Sequence, residues 1–277
     1  MKFKFVFILF NLTMLLLLLI FFFVPLLIVG PSLSLSYWLA NWPLLLLWLL
    51  LFVVFNIFYF TNRRLFFLLE REDWPALVHY LEYEVLTKGR YSSRFVRLLA
   101  TSYLVLSDTD GVLNLENKTS IARPALVNQY VLIFGAARIL GKDFSGAARF
   151  FEAHKYTVKP VLRDWVSWYL GFSFLLDYRL EGAADEFSFL ASQSKNAVVT
   201  ALSSFFLSET LSRVLPEKEA ELLEASAGGK SRALGLLPDT ESWTRAIEKI
   251  STDIHAAVIS KYIEGTGRWL YSKGVVE

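Results

Sequence analysis

Residues 5–62 read FVFILFNLTMLLLLLIFFFVPLLIVGPSLSLSYWLANWPLLLLWLLLFVVFNIFYFTN and contain no Asp, Glu, Lys or Arg. A charged side chain at the centre of a bilayer costs about 3 kcal/mol or more, so a run of this length without charge points to lipid. A helix needs about 20 apolar residues to cross the hydrocarbon core, and Gly30-Pro31 interrupts the run near its middle. The stretch therefore predicts a transmembrane helical hairpin as domain 1–62, with spans near residues 5–29 and 38–59.

Basic residues flank this apolar run, with Lys2 and Lys4 before it and Arg63 and Arg64 after it. Positive residues next to membrane spans stay on the cytoplasmic side. The flanks therefore place both ends of the hairpin, and the domain that follows, in the cytoplasm. The first apolar segment is also longer than the ~7–15-residue apolar region of a signal peptide, which favours an anchor over a cleaved leader.

Two amides, Asn11 and Asn56, lie inside the apolar run. Each is seven residues from a flanking basic residue, Lys4 or Arg63, so an antiparallel hairpin puts both at a similar depth. An amide in hydrocarbon seeks a partner, and an interhelical hydrogen bond there contributes about 0.6–2 kcal/mol. Asn11 and Asn56 are therefore a candidate interspan contact; the alternative is that each amide reaches separately toward the near headgroups.

The rest of the chain has a neutral charge balance. Lys2 and Lys4 account for the whole net charge of +2, which leaves 26 basic and 26 acidic residues from Arg63 onward. Nucleic-acid-binding proteins carry a net basic surface, so no nucleic-acid partner is predicted. The absence of Cys excludes disulfides and thiolate ligands. No catalytic, cofactor-binding or metal-ligating pattern emerges, so the prediction is a protein without cofactor that is not an enzyme.

Beyond Arg64 the apolar spacing is helical, and it repeats. Residues 144–151 and 180–187 both read apolar, x, Gly, Ala, Ala, x, x, Phe, and they lie 36 residues apart. Gly135 and Gly171 precede them at the same interval. No Gly or Pro interrupts residues 44–73, so the second span is expected to continue as the opening helix of the first repeat. A repeat near 36 residues indicates stacked helix pairs.

These residues give the chain a resemblance to the tetratricopeptide (TPR) family. Gly171, Phe174, Ala183 and Phe187 fall at the family's consensus offsets, and the unit that begins near Gly135 matches in the same way. The resemblance implies an all-α, TPR-like α-solenoid over domain 63–227. Two N-terminal spans, an Arg-Arg junction and TPR-like helices together resemble bacterial inner-membrane proteins of the HemY type, which are associated with tetrapyrroles. That resemblance implies a multi-pass protein of a bacterial inner membrane.

Domain 228–277 departs from the repeat. Gly228-Gly229-Lys230-Ser231 predicts a flexible link, and residues 240–271 predict an amphipathic helix in which Trp243, Ile250 and Ile254 share one face. Solenoids need a terminal cap over the apolar face of the last repeat. The C-terminal helix is the candidate cap.

In TPR proteins the first helix of each unit lines a concave groove. The resemblance places seven residues in a partner-binding groove with a basic end and an aromatic centre: Arg94, Arg97, Gln129, Trp165, Trp168, Phe172 and Phe205. Aromatic residues and Arg dominate binding hot spots. The alternative is that the three residues Trp165, Trp168 and Phe172 form repeat-to-repeat core, with the C-terminal helix filling the groove.

The sequence thus predicts a membrane-anchored scaffold or adaptor whose partners are the lipid bilayer and an unidentified protein. Two alternatives remain open. The chain is an accessory subunit of a membrane enzyme or transporter that uses the hairpin as its interface, or it handles a tetrapyrrole-like ligand.

Overall fold

The computed structural model describes residues 3–251 and 255–272, and all regular secondary structure within those ranges is helical. The all-α prediction is therefore confirmed. The helices, in chain order, are α1 (Phe3–Arg71), α2 (Trp74–Glu82), α3 (Ser93–Val105), α4 (Thr109–Ala122), α5 (Pro124–Gln129), α6 (Val131–Leu140), α7 (Phe144–His154), α8 (Pro160–Leu176), α9 (Leu180–Gln193), α10 (Ala197–Phe206), α11 (Ser212–Val214), α12 (Glu219–Leu236), α13 (Thr240–Ser251) and α14 (His255–Tyr271). Single π-helical turns follow α2 and α10.

Helix α1 consists of two apolar segments, Phe3–Ile28 and Gly30–Arg71. The backbone of α1 leaves helical geometry at Gly30, where φ is 80° and ψ is 170°, a conformation that suits glycine. Pro31 follows at a helix start, where its missing N–H costs no hydrogen bond. The helix of the second apolar segment begins at Gly30, eight residues before the predicted start of the second span near residue 38, because a single glycine is enough to reverse the chain.

The two segments of α1 pack antiparallel. The Phe7 ring stacks on the Tyr59 ring with centroids 3.8 Å apart, and Trp48 Nε1 donates a hydrogen bond to Met14 O at 3.1 Å. Both segments are long and apolar enough to cross a membrane. The flanking Lys2, which was used to orient the hairpin, lies outside the described residues.

The second segment runs without interruption past Arg63, as the absence of Gly and Pro predicts, and ends at Arg71. Its last turns carry the buried side chains of Leu65 and Leu68. The chain divides into two compact units, Met1–Tyr80 and Leu81–Glu277, so the first unit is 18 residues longer than the predicted hairpin domain 1–62. The apolar helix therefore continues into the first helix–turn–helix of the chain.

One turn geometry recurs along the chain. A residue with φ between 54° and 61° ends the first helix of each pair, at Glu72, Ser107, Lys142 and Tyr178, which are spaced by 35, 35 and 36 residues. The next residue donates its N–H five residues back in all four cases, which is the Schellman pattern. At the first three turns that next residue is an Asp, which also caps the following helix. The period in the sequence is therefore a period in backbone geometry.

The two units with the strongest sequence match pack in equivalent ways. Gly135 on α6 faces the ring of Phe151 on α7 with no room for a Cβ atom. Gly171 on α8 faces Phe187 on α9, and an added Cβ would lie 3.0 Å from that ring. Consecutive helices from α6 to α10 also contact each other in sequence order. A small residue on one helix and a phenylalanine on the next therefore set the spacing within each pair.

Helix α12 corrects a second boundary. The predicted flexible link at 228–231, and with it the boundary between domains 63–227 and 228–277, falls inside this continuous helix. Gly229 faces Ala191 on α9 and Ser204 on α10 so closely that a Cβ would collide with both. Ser226 Oγ, one turn earlier, donates to Ser204 O at 2.7 Å. The glycine therefore serves close helix packing rather than flexibility.

We expect Ala147→Leu to lower the free energy of unfolding by about 1–3 kcal/mol, because close-packed interiors do not accept added volume. Ala147 has no exposed surface. The matched control is Ala153→Leu, since Ala153 lies exposed on the same helix α7 and surface changes stay within about 0.5 kcal/mol. Chemical denaturation of the full-length protein in detergent measures both. Equal, small shifts would show that α7 does not pack as described.

Candidate functional site

Six aromatic side chains on two neighbouring helices form what we call the aromatic seat. They are Trp165, Trp168, Tyr169 and Phe172 on α8, and Phe205 and Phe206 on α10. The spacing of three and four residues on α8 puts its four members on one helix face. The Trp168 ring stacks on Phe172 with centroids 5.2 Å apart and meets Phe206 edge-on at 5.8 Å. The seat is therefore one continuous aromatic surface.

Helix α14 occupies this seat through three aromatic residues. The His255 ring lies 5.6 Å from Trp165, and the Tyr262 ring lies 5.4 Å from Phe172. The Trp269 ring lies 5.9 Å from Phe205. His255, Tyr262 and Trp269 are seven residues apart, which places them on one face of the helix.

Hydrogen bonds hold both ends of α14. Tyr169 Oη donates to His255 O at 2.9 Å, and Lys230 Nζ donates to Trp269 O at 2.9 Å. Burial raises the pKa of the Tyr169 phenol above its usual range. Burial also lowers the pKa of the Lys230 amine, with the Glu209 carboxylate acting in the opposite direction. The phenol therefore stays protonated as a donor across the physiological pH range.

The predicted open groove is corrected at its aromatic centre. Trp165, Trp168 and Phe172 are buried, and Phe205 is half-buried. The physical reason is that α14 lies against Trp165, Phe172 and Phe205. Trp168 is instead enclosed by Phe187 of α9 and Phe206 of α10. Core packing between repeats, with the C-terminal helix filling the groove, is the alternative that the sequence left open. The predicted C-terminal helix 240–271 is present as the two helices α13 and α14, and Ile254 lies outside the described residues.

The predicted basic end of the groove is exposed. Arg94 and Arg97 lie on the outer surface of α3, and Gln129 ends α5. Gln129 Nε2 donates to Ser93 Oγ at 3.1 Å, which brings α5 against the start of α3 beside Arg94. Helix α6 packs against both α3 and α14. The structure therefore brings the polar members together at one edge and keeps them outside the aromatic seat.

The two amides in the apolar hairpin lie against each other. Asn56 Nδ2 donates to Asn11 Oδ1 at 3.2 Å. Each amide also donates to a carbonyl one turn earlier on its own helix, Phe7 O for Asn11 and Phe52 O for Asn56. Both N–H donors of Asn56 and one of Asn11 are therefore used inside the hairpin.

Sequence reasoning missed five contributors to the occupied seat, namely Tyr169, Phe206, His255, Tyr262 and Trp269. The seven-residue spacing of the last three is a signal that was available in the sequence. Lys230 was assigned to a flexible link, so its bond to α14 was not foreseeable. Within residues 3–251 and 255–272, no group of three His, Asp or Glu side chains is arranged to hold a metal ion.

Two comparisons with known proteins bear on this chain. A family model described as uncharacterised Treponema protein matches residues 111–272. An uncharacterized protein of Treponema pallidum (strain Nichols) is 29% identical over 277 residues, which cover 98% of this chain and 88% of the relative. The family match covers the helices from α4 to α14, including both sides of the aromatic seat. Neither description names an activity, a ligand or a partner.

Proposed function

The chain belongs to this family of uncharacterised Treponema proteins, and we propose that it is a membrane-anchored, TPR-like scaffold that binds a partner protein at the cytoplasmic face of a bacterial inner membrane. Two long apolar helices support the anchor. The recurring turn at Glu72, Ser107, Lys142 and Tyr178 supports the TPR-like assignment. The same two features support the HemY-type layout.

The occupied aromatic seat carries the proposal. Side-by-side helices α8 and α10 already hold an amphipathic helix, α14, through aromatic anchors. Helix-in-groove binding is a general mode of peptide recognition, and aromatic residues supply much of its energy. A face built to hold a helix supports a binding function over catalysis.

The exposed basic edge is the place where we expect the partner to dock. Arg94, Arg97 and Gln129 are exposed there while the aromatic centre is covered. Arg side chains recognise carboxylates with paired hydrogen bonds. The expected partner segment is therefore acidic.

The test places a photo-crosslinking amino acid at Arg97 or at Gln129 of the full-length protein in its native cells. We expect both positions to give the same discrete adduct, and we expect Arg94→Glu to abolish the adduct formed from Gln129. The matched control is Phe189, which is 56% exposed on α9. Adducts that form equally at Phe189, or that persist after the charge reversal, would contradict the proposal.

Topology is tested separately with alkaline phosphatase, which is active only after export, fused to the C-terminus. Lys4, Arg63 and Arg64 flank the apolar segments, and the positive-inside rule keeps such flanks in the cytoplasm. We expect the phosphatase fused to the C-terminus to be inactive. As the control, phosphatase inserted at Gly30, between the two apolar segments, should be exported and active. Activity of the C-terminal fusion would contradict the cytoplasmic placement.

The hydrogen bond between Asn11 and Asn56 bears on the accessory-subunit alternative. That function needs polar groups that reach a partner span, whereas both amides donate inside the hairpin at 2.8–3.2 Å. This arrangement supports an anchor that is complete in itself.

A further inference from the structure

The charged end of the hairpin contains a pocket of about 720 Å³ between the two apolar segments. The first segment contributes Lys4 and Phe7 to its lining, and the second contributes Tyr59, Arg63 and Arg64. The Phe7–Tyr59 stack at 3.8 Å joins the two walls. Cavities of ~300–1,000 Å³ are the usual size for small-molecule sites.

The lining of this pocket combines apolar and charged residues. Most of its side chains are aromatic or aliphatic, and its basic side chains, which we call the mouth, lie just outside the uncharged run of the sequence. Three lining residues are basic, Lys4, Arg63 and Arg64, against a single acidic one, Glu70. The pocket thus combines an apolar wall with a net positive mouth.

The basic groups at the mouth are exposed. Among the described residues, none of the three takes part in an ion pair with a carboxylate. The Arg64 guanidinium lies 5.3 Å over the Tyr80 ring, which orients it without neutralising its charge. An anion at the mouth would therefore meet three basic groups that form no ion pair with a carboxylate of the described residues.

We infer that this pocket binds an anionic glycerophospholipid, with the phosphate at Lys4, Arg63 and Arg64 and an acyl chain along the apolar wall. The inference rests on the proposed membrane anchoring, because the bilayer supplies the ligand. Basic pockets between spans on the cytoplasmic side are typical sites for anionic lipid headgroups. Arg binds phosphate oxygens through two parallel N–H donors, and the headgroup region is the depth at which flanking basic residues lie.

The test uses full-length protein in a non-ionic detergent, with native mass spectrometry after addition of phosphatidylglycerol, phosphatidylcholine or inorganic phosphate. We expect phosphatidylglycerol to remain bound at least fivefold more than phosphatidylcholine. Each basic residue near an anionic surface contributes about 1 kcal/mol, so Lys4→Gln, Arg63→Gln and Arg64→Gln should each weaken binding about fivefold. Inorganic phosphate should not compete.

Arg71→Gln is the matched control, since Arg71 is exposed on the same helix but does not line the pocket. An equal loss with Arg71→Gln would assign the effect to general surface charge and overturn the site. Equal binding of both lipids would overturn it too, and competition by inorganic phosphate would show a free-phosphate site instead. Carbonate extraction of the same variants checks membrane integration separately, so failure of the lipid site and failure of the anchor are distinguishable.

Discussion

Trp168→Ala is expected to lower the free energy of unfolding by about 3–5 kcal/mol, the range for a large aromatic truncated in a core. Trp168 is fully buried at the centre of the aromatic seat, where its ring contacts Phe172, Phe187 and Phe206. The substitution removes contacts between three helices at once, because these neighbours lie on α8, α9 and α10. Denaturant titration of the full-length protein in detergent measures the change.

Two further variants sharpen this prediction. Trp168 Nε1 is buried without a hydrogen-bond partner among the described residues, and an unpaired buried donor costs about 1–3 kcal/mol. Trp168→Phe removes that donor together with some contact area, so it should destabilise far less than Trp168→Ala. Phe189→Ala is the control on the exposed side of α9 and should stay within about 0.5 kcal/mol. A loss for Trp168→Ala no larger than that of Phe189→Ala would show that the seat is open to water.

Glu116→Leu is expected to destabilise the protein by about 3 kcal/mol, because it leaves a charged partner without its counter-ion in a largely buried place. Arg138 Nη2 donates to Glu116 Oε1 at 3.1 Å, and Arg138 Nη1 donates to the other carboxylate oxygen. The Arg138 side chain is 17% exposed and the Glu116 side chain is 10% exposed. Removing one partner of a buried ion pair costs about 3–5 kcal/mol. We expect the lower value because the Arg138 side chain is still partly exposed to water.

The double variant Glu116→Leu with Arg138→Met should recover most of that loss, since replacing both charges with apolar groups is often close to neutral. The control is Arg213→Gln, which breaks the ion pair with Glu209 at its 70% exposed side and keeps the Glu209 carboxylate. Exposed pairs contribute about 0.2–1 kcal/mol. A double variant as unstable as Glu116→Leu alone would show that the loss comes from packing and not from an uncompensated charge.

The Glu116–Arg138 pair also shows a feature of the repeat that the sequence pattern could not predict. The TPR pattern has an aromatic residue at the position that Glu116 holds, so residue types alone predict a departure from the repeat in this unit. The structure keeps the helix pair and places the Arg138 guanidinium 4.3 Å over the Phe150 ring, so that α6 joins α4 to α7. A pattern of residue types cannot reveal a replacement that depends on a partner 22 positions away.

Helix boundaries were predictable only where local chemistry decided them. The absence of Gly and Pro correctly predicted that the second apolar segment continues as one helix to Arg71. Gly228-Gly229 carries the same local signal as a flexible link, yet both residues lie in a helix. Gly229 is required there because Ala191 and Ser204 leave no room for a side chain. Tertiary packing decides between these two uses of glycine, and it is not encoded in the flanking residues.

For the candidate site, the sequence predicted which residues share a helix face but not whether that face is exposed. Helical offsets correctly placed Trp165, Trp168 and Phe172 on one face, because that depends on the period of a helix alone. The exposure of Trp165 and Phe172 depends on α14, which follows α8 in the chain after the five helices α9 to α13. Only a contact between distant segments distinguishes an open groove from a covered one.

The covering of the aromatic seat by α14 has a consequence for biosynthesis. Residues 255–271 leave the ribosome more than 80 residues after Phe172, a delay of about 4–17 seconds at ordinary elongation rates. During that interval three large rings on α8 have no cover from α14, and exposed apolar surface of this kind promotes aggregation. A stop codon before α14 would leave these rings without their cover permanently. Truncated chains are therefore expected to be substrates for chaperones and proteases even when every repeat is intact.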